Sequence, residues 1–438
     1  MPCPRDGADL RRVRPHGGFY LQDERNARPG AFSRAGTRSA CGDRAVSAPL
    51  EGVRVVELGA YTTGPLCARY LSNLGAEIIK VEPLKGESMR TFAYKVGDVS
   101  YIFHVHNVNK KSVPVDTNTK DGKAVLFDLL RTADVLIENF AYGSMQKWGL
   151  DYETIRAVNP ALIYCSLSGF GHTGPDRHLR AFDTVIQGMA GVMAMTGTRE
   201  GPPIKIGISA ADNMGSAAGA MAITAALHHK CRTGRGQHIN ISMHDIQGWL
   251  TSECWALLDT EAGPQRNGNR HFAVAPQNIF AAADGLIAVE IETQKQLDAL
   301  CDMLGVGQIA LEDSKAHEAS LEAALQEWVA ARSVDTAVED CLACKVPAGR
   351  VQGMDDVAEN PFTWEREILV SLQHPESGEV KILGSPFKSN RSPGVVSSAA
   401  PTVGQHTRDV LGGLLGYSDE RIDALVADKV IVDEASSV

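Results

Sequence analysis

From Leu50 onward the chain alternates short apolar runs with amphipathic ones, and that alternation constrains the fold more than any other feature. Val53–Leu58 reads as a buried strand, Pro65–Leu74 as a helix with proline in its first turn, and Glu77–Glu82 as a second strand. Gly75 stands where a helix C-cap belongs. The pattern repeats with Ser112–Val115 (strand), Asp121–Thr132 (helix), Val135–Glu138 (strand), Tyr152–Val158 (helix) and Leu162–Ser166 (strand). Strands separated by single helices imply parallel βαβ units, so the expected class is α/β with an open parallel sheet. Ligands of such sheets bind outside the carboxyl ends of the strands. That directs attention to the loops after Leu58, Glu82, Val115, Glu138 and Ser166.

Asn213–Lys230 then reads as a long helix of small residues, and Gly234–Ser242 as a turn into a strand. After about Trp255 the texture becomes polar and helix-rich, with two short strands at Ile279–Ala282 and Leu286–Glu290. Residues 49–255 are thus expected to open a large α/β domain, and residues 256–366 to form a smaller α+β domain. The tail from Glu379 has a strand-like start and two helical runs. Residues 1–48, rich in Arg, Gly and Pro and without apolar periodicity, are expected to be a disordered extension. Asp6, Asp9, Asp23, Glu24 and Asp43 argue against an acid-poor transit sequence.

Composition narrows the function. A chain of 438 residues exceeds one small core, and 22% charged residues with 44% apolar ones is ordinary for a globular protein. A net charge of -10 gives no general attraction to nucleic acid or to an anionic membrane. No apolar run reaches the roughly 18 residues of a membrane helix, so a soluble, cytoplasmic protein is expected. The nine cysteines are odd in number and scattered, unlike a disulfide framework. Cys341 and Cys344 form a CxxC without a second pair, and read as packing residues. No metal-ligand spacing and no GxSxG elbow is present.

Several motifs sit where the sheet would present them. Gly169–Gly174 matches GxGxxG after a strand, but Pro175 follows at once and no helix opens there, so a dinucleotide site is not expected. Asn139-Phe140 ends a strand, with Lys147 and Trp148 a helical turn or two away. A cation and aromatic rings there suit a nucleotide's phosphate and base. A surface lysine beside buried rings fits the same residues equally well. Asp212 precedes the helix of small residues, as an N-cap would. The helix N-terminus also favours the ionised carboxylate, which suits a nucleophile. Asp183, three residues after Arg180, is a second carboxylate, and a surface ion pair is its plain reading.

Taken together and in order, these stretches resemble the class III CoA-transferase family, which includes formyl-CoA transferase, carnitine CoA-transferase and alpha-methylacyl-CoA racemase. The resemblance is carried by Leu50–Leu58, Gly75–Pro83, Asn109–Ser112, Ala133–Phe140, Asn159–Tyr164, Ser168–Pro175, Asp212–Gly215 and Thr233–Gln237. It implies a Rossmann-like large domain, completed by residues 367–438, a small domain between, and an interlocked homodimer. It implies acyl-CoA and small carboxylic acids as partners, no permanently bound cofactor, and coenzyme A thioester as substrate. It aligns the family nucleophile with Asp212. The coenzyme A contacts align with Thr62 and Thr63, with Thr117 and Asn118, with Asn139 and Phe140, with Lys147, and with Arg180 and Asp183.

Departures from the pattern separate the branches. The glycine run that covers the acyl group in formyl-CoA transferase has no counterpart, which argues against an oxalate/formate pair. Pro83 stands beside Glu82 where that enzyme has arginine, leaving Lys85 or Arg90 as substitutes. Phe182 occupies the position of the racemase histidine, which favours transfer over epimerisation. A catalytically silent CoA-binding protein is the other alternative, and the intact Asp212 speaks against it. His172, Arg180 and Arg270 are the basic groups that point to a dicarboxylate related to succinate.

Overall fold

The computed structural model of the chain describes residues 48–260 and 263–436. The extension expected over residues 1–48 lies, but for Ala48, outside them. The chain enters the sheet with β1 (Arg54–Glu57), α1 (Thr63–Asn73) and β2 (Glu77–Glu82). It continues through α2 (Tyr101–Asn107), β3 (Lys110–Pro114), α3 (Lys120–Thr132) and β4 (Val135–Glu138). Next come α4 (Ser144–Trp148), α5 (Tyr152–Val158), β5 (Ile163–Ser168), α6 (Asp183–Met189), α7 (Ala210–Thr233), β6 (His238–Ser242) and α8 (Met243–Leu250).

The six strands form one sheet in the order β3-β2-β1-β4-β5-β6, and every pairing is parallel. This is the open α/β sheet expected from the alternation. Val55 stands opposite Ile78 on one side and Val135 on the other. Side chains alternate across a strand, and here both faces are covered, so the strands read as nearly unbroken apolar runs. Val56, Ile79, Leu136 and Tyr164 pack with α3, α5 and residues from Val410 to Ile431 near the C-terminus. Val55, Ile78, Ile137 and Cys165 face α1 and α7.

The helices α1 and α7 approach closely because α7 is glycine-rich where they meet. A Cβ on Gly219 would stand 2.8 Å from Leu167 Cδ2 and 3.0 Å from Cys67 Sγ. Buried Arg69 on α1 donates to the Val105 carbonyl of α2 at 2.6 Å and to Gly384 O at 3.3 Å.

A second core lies in residues 277–348, where β7 (Gln277–Ala282), β8 (Gly285–Glu290) and β9 (Ala348–Arg350) form an antiparallel sheet in the order β9-β8-β7. Phe280, Ile287 and Val289 pack there with Leu297, Leu325 and Cys341. A hairpin of β10 (Leu369–His374) and β11 (Gly378–Leu383) packs on α2 through Val105 and Val380. Strand and helix limits agree with the expected ones to within a few residues. The exceptions are α2, α4, α6, α8, β9 and β10, which the sequence pattern does not announce.

Candidate active site

Strand order reverses between β1 and β4, and the crevice at such a reversal is where an open α/β sheet binds its ligand. The loops after β1 and β4 meet there. The Asn139 side chain behaves like a strand edge, accepting from Ala60 N at 2.9 Å and donating to Ala60 O at 2.8 Å. Gly64 leaves room for this bridge, since a Cβ there would lie 3.0 Å from Asn139 Oδ1.

Beneath the first loop lies a buried ionic network that the sequence reading missed. Glu57 on β1 takes Lys80 of β2 at 3.0 Å on one carboxylate oxygen and Lys110 of β3 at 2.9 Å on the other. Lys80 also meets Glu87 at 2.9 Å, and Glu87 in turn accepts the Tyr61 amide at 2.9 Å. Burial alone would push the Glu57 carboxyl up, but the two ammonium groups outweigh it and hold it below the ordinary range. Arg90 grips Glu82 with two donors at 2.9 and 2.6 Å and lies over the Phe103 ring. Of the two substitutes named for the missing arginine, Arg90 is therefore the one that joins Glu82.

Thr62 caps α1 without a side-chain bond, and Thr63 is its first residue. The Thr63 hydroxyl donates to Asp212 Oδ1 at 2.5 Å. Ser216, one turn along α7 from Asp212, lies within hydrogen-bond distance of both backbone carbonyls, at 2.9 Å from Thr63 O and 2.7 Å from Asp212 O. Asp212 is not the expected N-cap. It lies in the first turn of α7, whose N-cap is Ser209, and the capping is done from another helix. Asp183, the first residue of α6, accepts the Ala211 amide at 2.7 Å and is itself held by Gln187 at 2.7 Å. Asp183 is buried and forms no pair with Arg180 among the described residues, which corrects the surface ion pair read from sequence.

Burial pushes the Asp212 carboxyl above its ordinary range; the Thr63 hydrogen bond opposes the rise and the Asp183 charge adds to it. The direction is opposite to that expected from the helix terminus alone, because the carboxyl is largely withdrawn from water.

The remaining expected residues lie on the loops after β1, β3, β4 and β5 and on α4. Tyr61 meets Phe182 edge-on at 6.2 Å, joining the loop after β1 to the Arg180–Asp183 segment. Phe140 packs edge-on against Trp148 at 4.9 Å, and Lys147 precedes that tryptophan on α4. Lys147 and Arg180 are exposed and form no ion pair among the described residues. Thr117 and Asn118 lie at the carboxyl end of β3, just before α3, whose Lys123 reaches the Trp148 carbonyl at 3.0 Å. Of the basic groups suggested for a second carboxylate, Arg270 is committed to Glu322 at 2.7 Å, and His172 stacks edge-on with Tyr142 at 5.5 Å.

Among the described residues no cluster of His, Cys, Asp and Glu could hold a metal ion, and no helix is long and apolar enough to cross a membrane. A half-buried carboxylate bonded by a neighbouring hydroxyl, on a chain that also exposes Lys147 and Arg180 after strands of the same sheet, suits covalent chemistry on an anionic substrate.

The chain is 33% identical over 382 residues to the succinate–glutarate CoA-transferase of Agrobacterium fabrum, covering 84% of this chain and 96% of that one. It is 35% identical over 354 residues to the acetyl-CoA:oxalate CoA-transferase of Acetobacter aceti, covering 78% and 89%. A CAIB/BAIF family protein from Brucella suis superposes with a TM-score of 0.74 at 32% identity, over 84% of this chain and 100% of that one. The profile of CoA-transferase family III matches residues 50–407, and the chain belongs to that family.

Proposed function

We propose that this chain moves coenzyme A from an acyl-CoA donor to a free dicarboxylic acid through a covalent intermediate on Asp212. The observation that carries the reading is the Asp212 carboxylate, half-buried at the start of α7 and held by Thr63 in the crevice of the sheet. Asp212 attacks the thioester carbonyl and the C–S bond breaks, giving a mixed anhydride and free thiolate. The thiolate then attacks the aspartyl carbon and releases the donor acid, leaving an aspartyl-CoA thioester. The acceptor carboxylate repeats the two steps in reverse, so the thioester energy is conserved.

The exposed cations Lys147 and Arg180 and the Phe140–Trp148 pair serve the coenzyme's phosphates and base, with Thr62, Thr63, Thr117, Asn118, Asn139 and Asp183 shaping the wall. The names of the relatives, which pair succinate with glutarate and act on oxalate, favour dicarboxylates as the acids exchanged. An oxalate/formate pair remains disfavoured on the missing glycine run. The working form is a homodimer, in keeping with apolar side chains left bare on one chain, such as Trp249 at 79% and Met221 at 72% exposure. The free thiols of the described cysteines suit a cytoplasmic setting.

The test is mass spectrometry of the protein after incubation with succinyl-CoA or acetyl-CoA. A CoA adduct on the Asp212 peptide is expected, and none in Asp212→Asn. Transfer in that variant should fall by more than the roughly 10⁴-fold of a lost acid or base, with CoA binding retained. An Asp212→Asn protein that still transfers CoA places the nucleophile elsewhere.

A further inference from the structure

Thr63 makes a contact with Asp212 that positioning alone does not exhaust. Its side chain is almost wholly buried, at 4% residue exposure, and its hydroxyl stands 2.5 Å from Asp212 Oδ1. That is the length of a charge-assisted O–H···O⁻ bond. The other neighbour of the hydroxyl is Met243 Sδ at 3.6 Å, a weak acceptor, so its single proton is directed to Asp212. The Thr63 backbone is fixed as well, because Ser216 of the aspartate's own helix lies 2.9 Å from its carbonyl. Hydroxyl and carboxylate are thus held to one another through both main chain and side chain.

We propose that Thr63 is a catalytic residue, donating its hydrogen bond to the oxyanion that forms on Asp212 Oδ1 each time the aspartyl carbon is attacked. The inference rests on the reading of Asp212 as nucleophile. With Oδ1 engaged by Thr63, Oδ2 is the oxygen that attacks the donor thioester. In the next step the CoA sulfur bonds to Asp212 Cγ, the electron pair of Cγ=Oδ1 moves onto Oδ1, and collapse breaks Cγ–Oδ2. The donor acid leaves with Oδ2, and the aspartyl thioester remains. When the acceptor carboxylate attacks Cγ, charge returns to Oδ1 before Cγ–S breaks. Two of the four bond exchanges therefore place negative charge on the atom Thr63 already holds, and no proton is transferred in either. The hydrogen bond strengthens as the charge on Oδ1 becomes localised, which is the condition for catalysis rather than mere binding.

The test compares Thr63→Val, which keeps the shape and loses the hydroxyl, with Thr63→Ser, which keeps the hydroxyl. Succinyl-CoA and acetyl-CoA serve as donors in single-turnover quench experiments, with thiol release and the CoA adduct on Asp212 measured separately. Loss of one oxyanion donor is expected to slow adduct formation by about 10²-fold. Thiol release, which attacks the substrate carbonyl instead, should slow less, so free CoA appears in excess of adduct. Thr63→Ser should regain most of the lost rate. If Thr63→Val does not fold, Thr63→Ala against Thr63→Ser isolates the same hydroxyl. Adduct formation in the hydroxyl-free variant at the wild-type rate overturns the role of Thr63 alone. Absence of any adduct in the wild-type protein with both donors overturns the nucleophile and this inference with it.

Discussion

Glu138 ends β4 directly before the Asn139-Phe140 loop, and its titration can be read through stability. The side chain is fully enclosed; one carboxyl oxygen accepts the Phe140 amide at 2.9 Å, while the other finds no partner among the described residues. Burial pushes the carboxyl from 4.5 up to about 7, and the Ser166 hydroxyl and Phe140 amide offset only part of the rise. An acid whose pKa is raised by folding keeps its proton in the folded state where the unfolded chain has already lost it. Stability from this group is therefore full below pH 4.5, falls as pH rises through the interval to about 7, and is lost above it. At about 1.4 kcal/mol per pH unit the loss comes to about 3 kcal/mol. His104, His106, His172 and His238 act in the opposite sense, since desolvation lowers each and the unfolded chain binds their protons more tightly. Only a difference isolates Glu138. Urea unfolding of wild type and Glu138→Gln is compared at about pH 5 and about pH 8, and the variant's relative stability should grow by about 2–3 kcal/mol across that span. The amide meets the same unpartnered surroundings at both pH values, so any constant cost cancels. A difference that does not change with pH would falsify the assignment.

Lys147→Ala should raise KM for the acyl-CoA by an amount corresponding to roughly 1.5–3 kcal/mol while kcat holds, since a phosphate contact serves ground and transition states alike. A fall in kcat at constant KM instead moves Lys147 to the reacting atoms. Lys110→Met removes one of the two cations on buried Glu57 and should destabilise by about 3–5 kcal/mol in urea unfolding. Adding Glu57→Gln should recover part of that loss, and a double variant no better than the single one disproves the coupling. The rate should fall on the acid side as Asp212, raised above its ordinary 3.8 chiefly by burial, takes up a proton. Because the Thr63 bond lowers that carboxyl, Thr63→Val should move the acid limb to higher pH, and an unmoved limb contradicts the assigned contact.

The parallel sheet was legible because its strands are enclosed on both faces, which writes short apolar runs such as Val135–Ile137 into the sequence. Asp212 stands out in the sequence through its place before a run of small residues and through family likeness, but its surroundings do not. Thr63 lies 149 positions away in sequence, and no periodicity links a threonine at the start of one helix to an aspartate at the start of another. Asp183 looked like a surface acid because Arg180 precedes it. What decides its role is Ala211 N, 28 positions on, whose need for an acceptor appears only once the helices meet. The buried network was hidden for another reason. Lysines and glutamates inside strands read as exposed positions, and only the register that sets Glu57 beside Lys80 reveals them as partners.

That network bears on why the crevice holds its shape. Lys80, Lys110 and Arg90 set three cations against the carboxylates of Glu57, Glu82 and Glu87, all six side chains being buried. Such pairs seldom stabilise a fold more than apolar residues of equal volume would, because withdrawing the ions from water consumes most of the attraction. Their effect here is directional. Lys80 donates to the Gly59 carbonyl at 3.0 Å, Lys110 to the Pro65 carbonyl at 2.8 Å, and Glu87 accepts the Tyr61 amide at 2.9 Å. The three contacts bracket Thr62 and Thr63 from either side. Apolar replacements could fill the space but could not bind these backbone groups, and the loop would lose its fixed height above the sheet. A carboxylate held at 2.5 Å by the residue that opens α1 directly after that loop depends on such fixing, since a shift of a few tenths of an ångström is enough to weaken the bond.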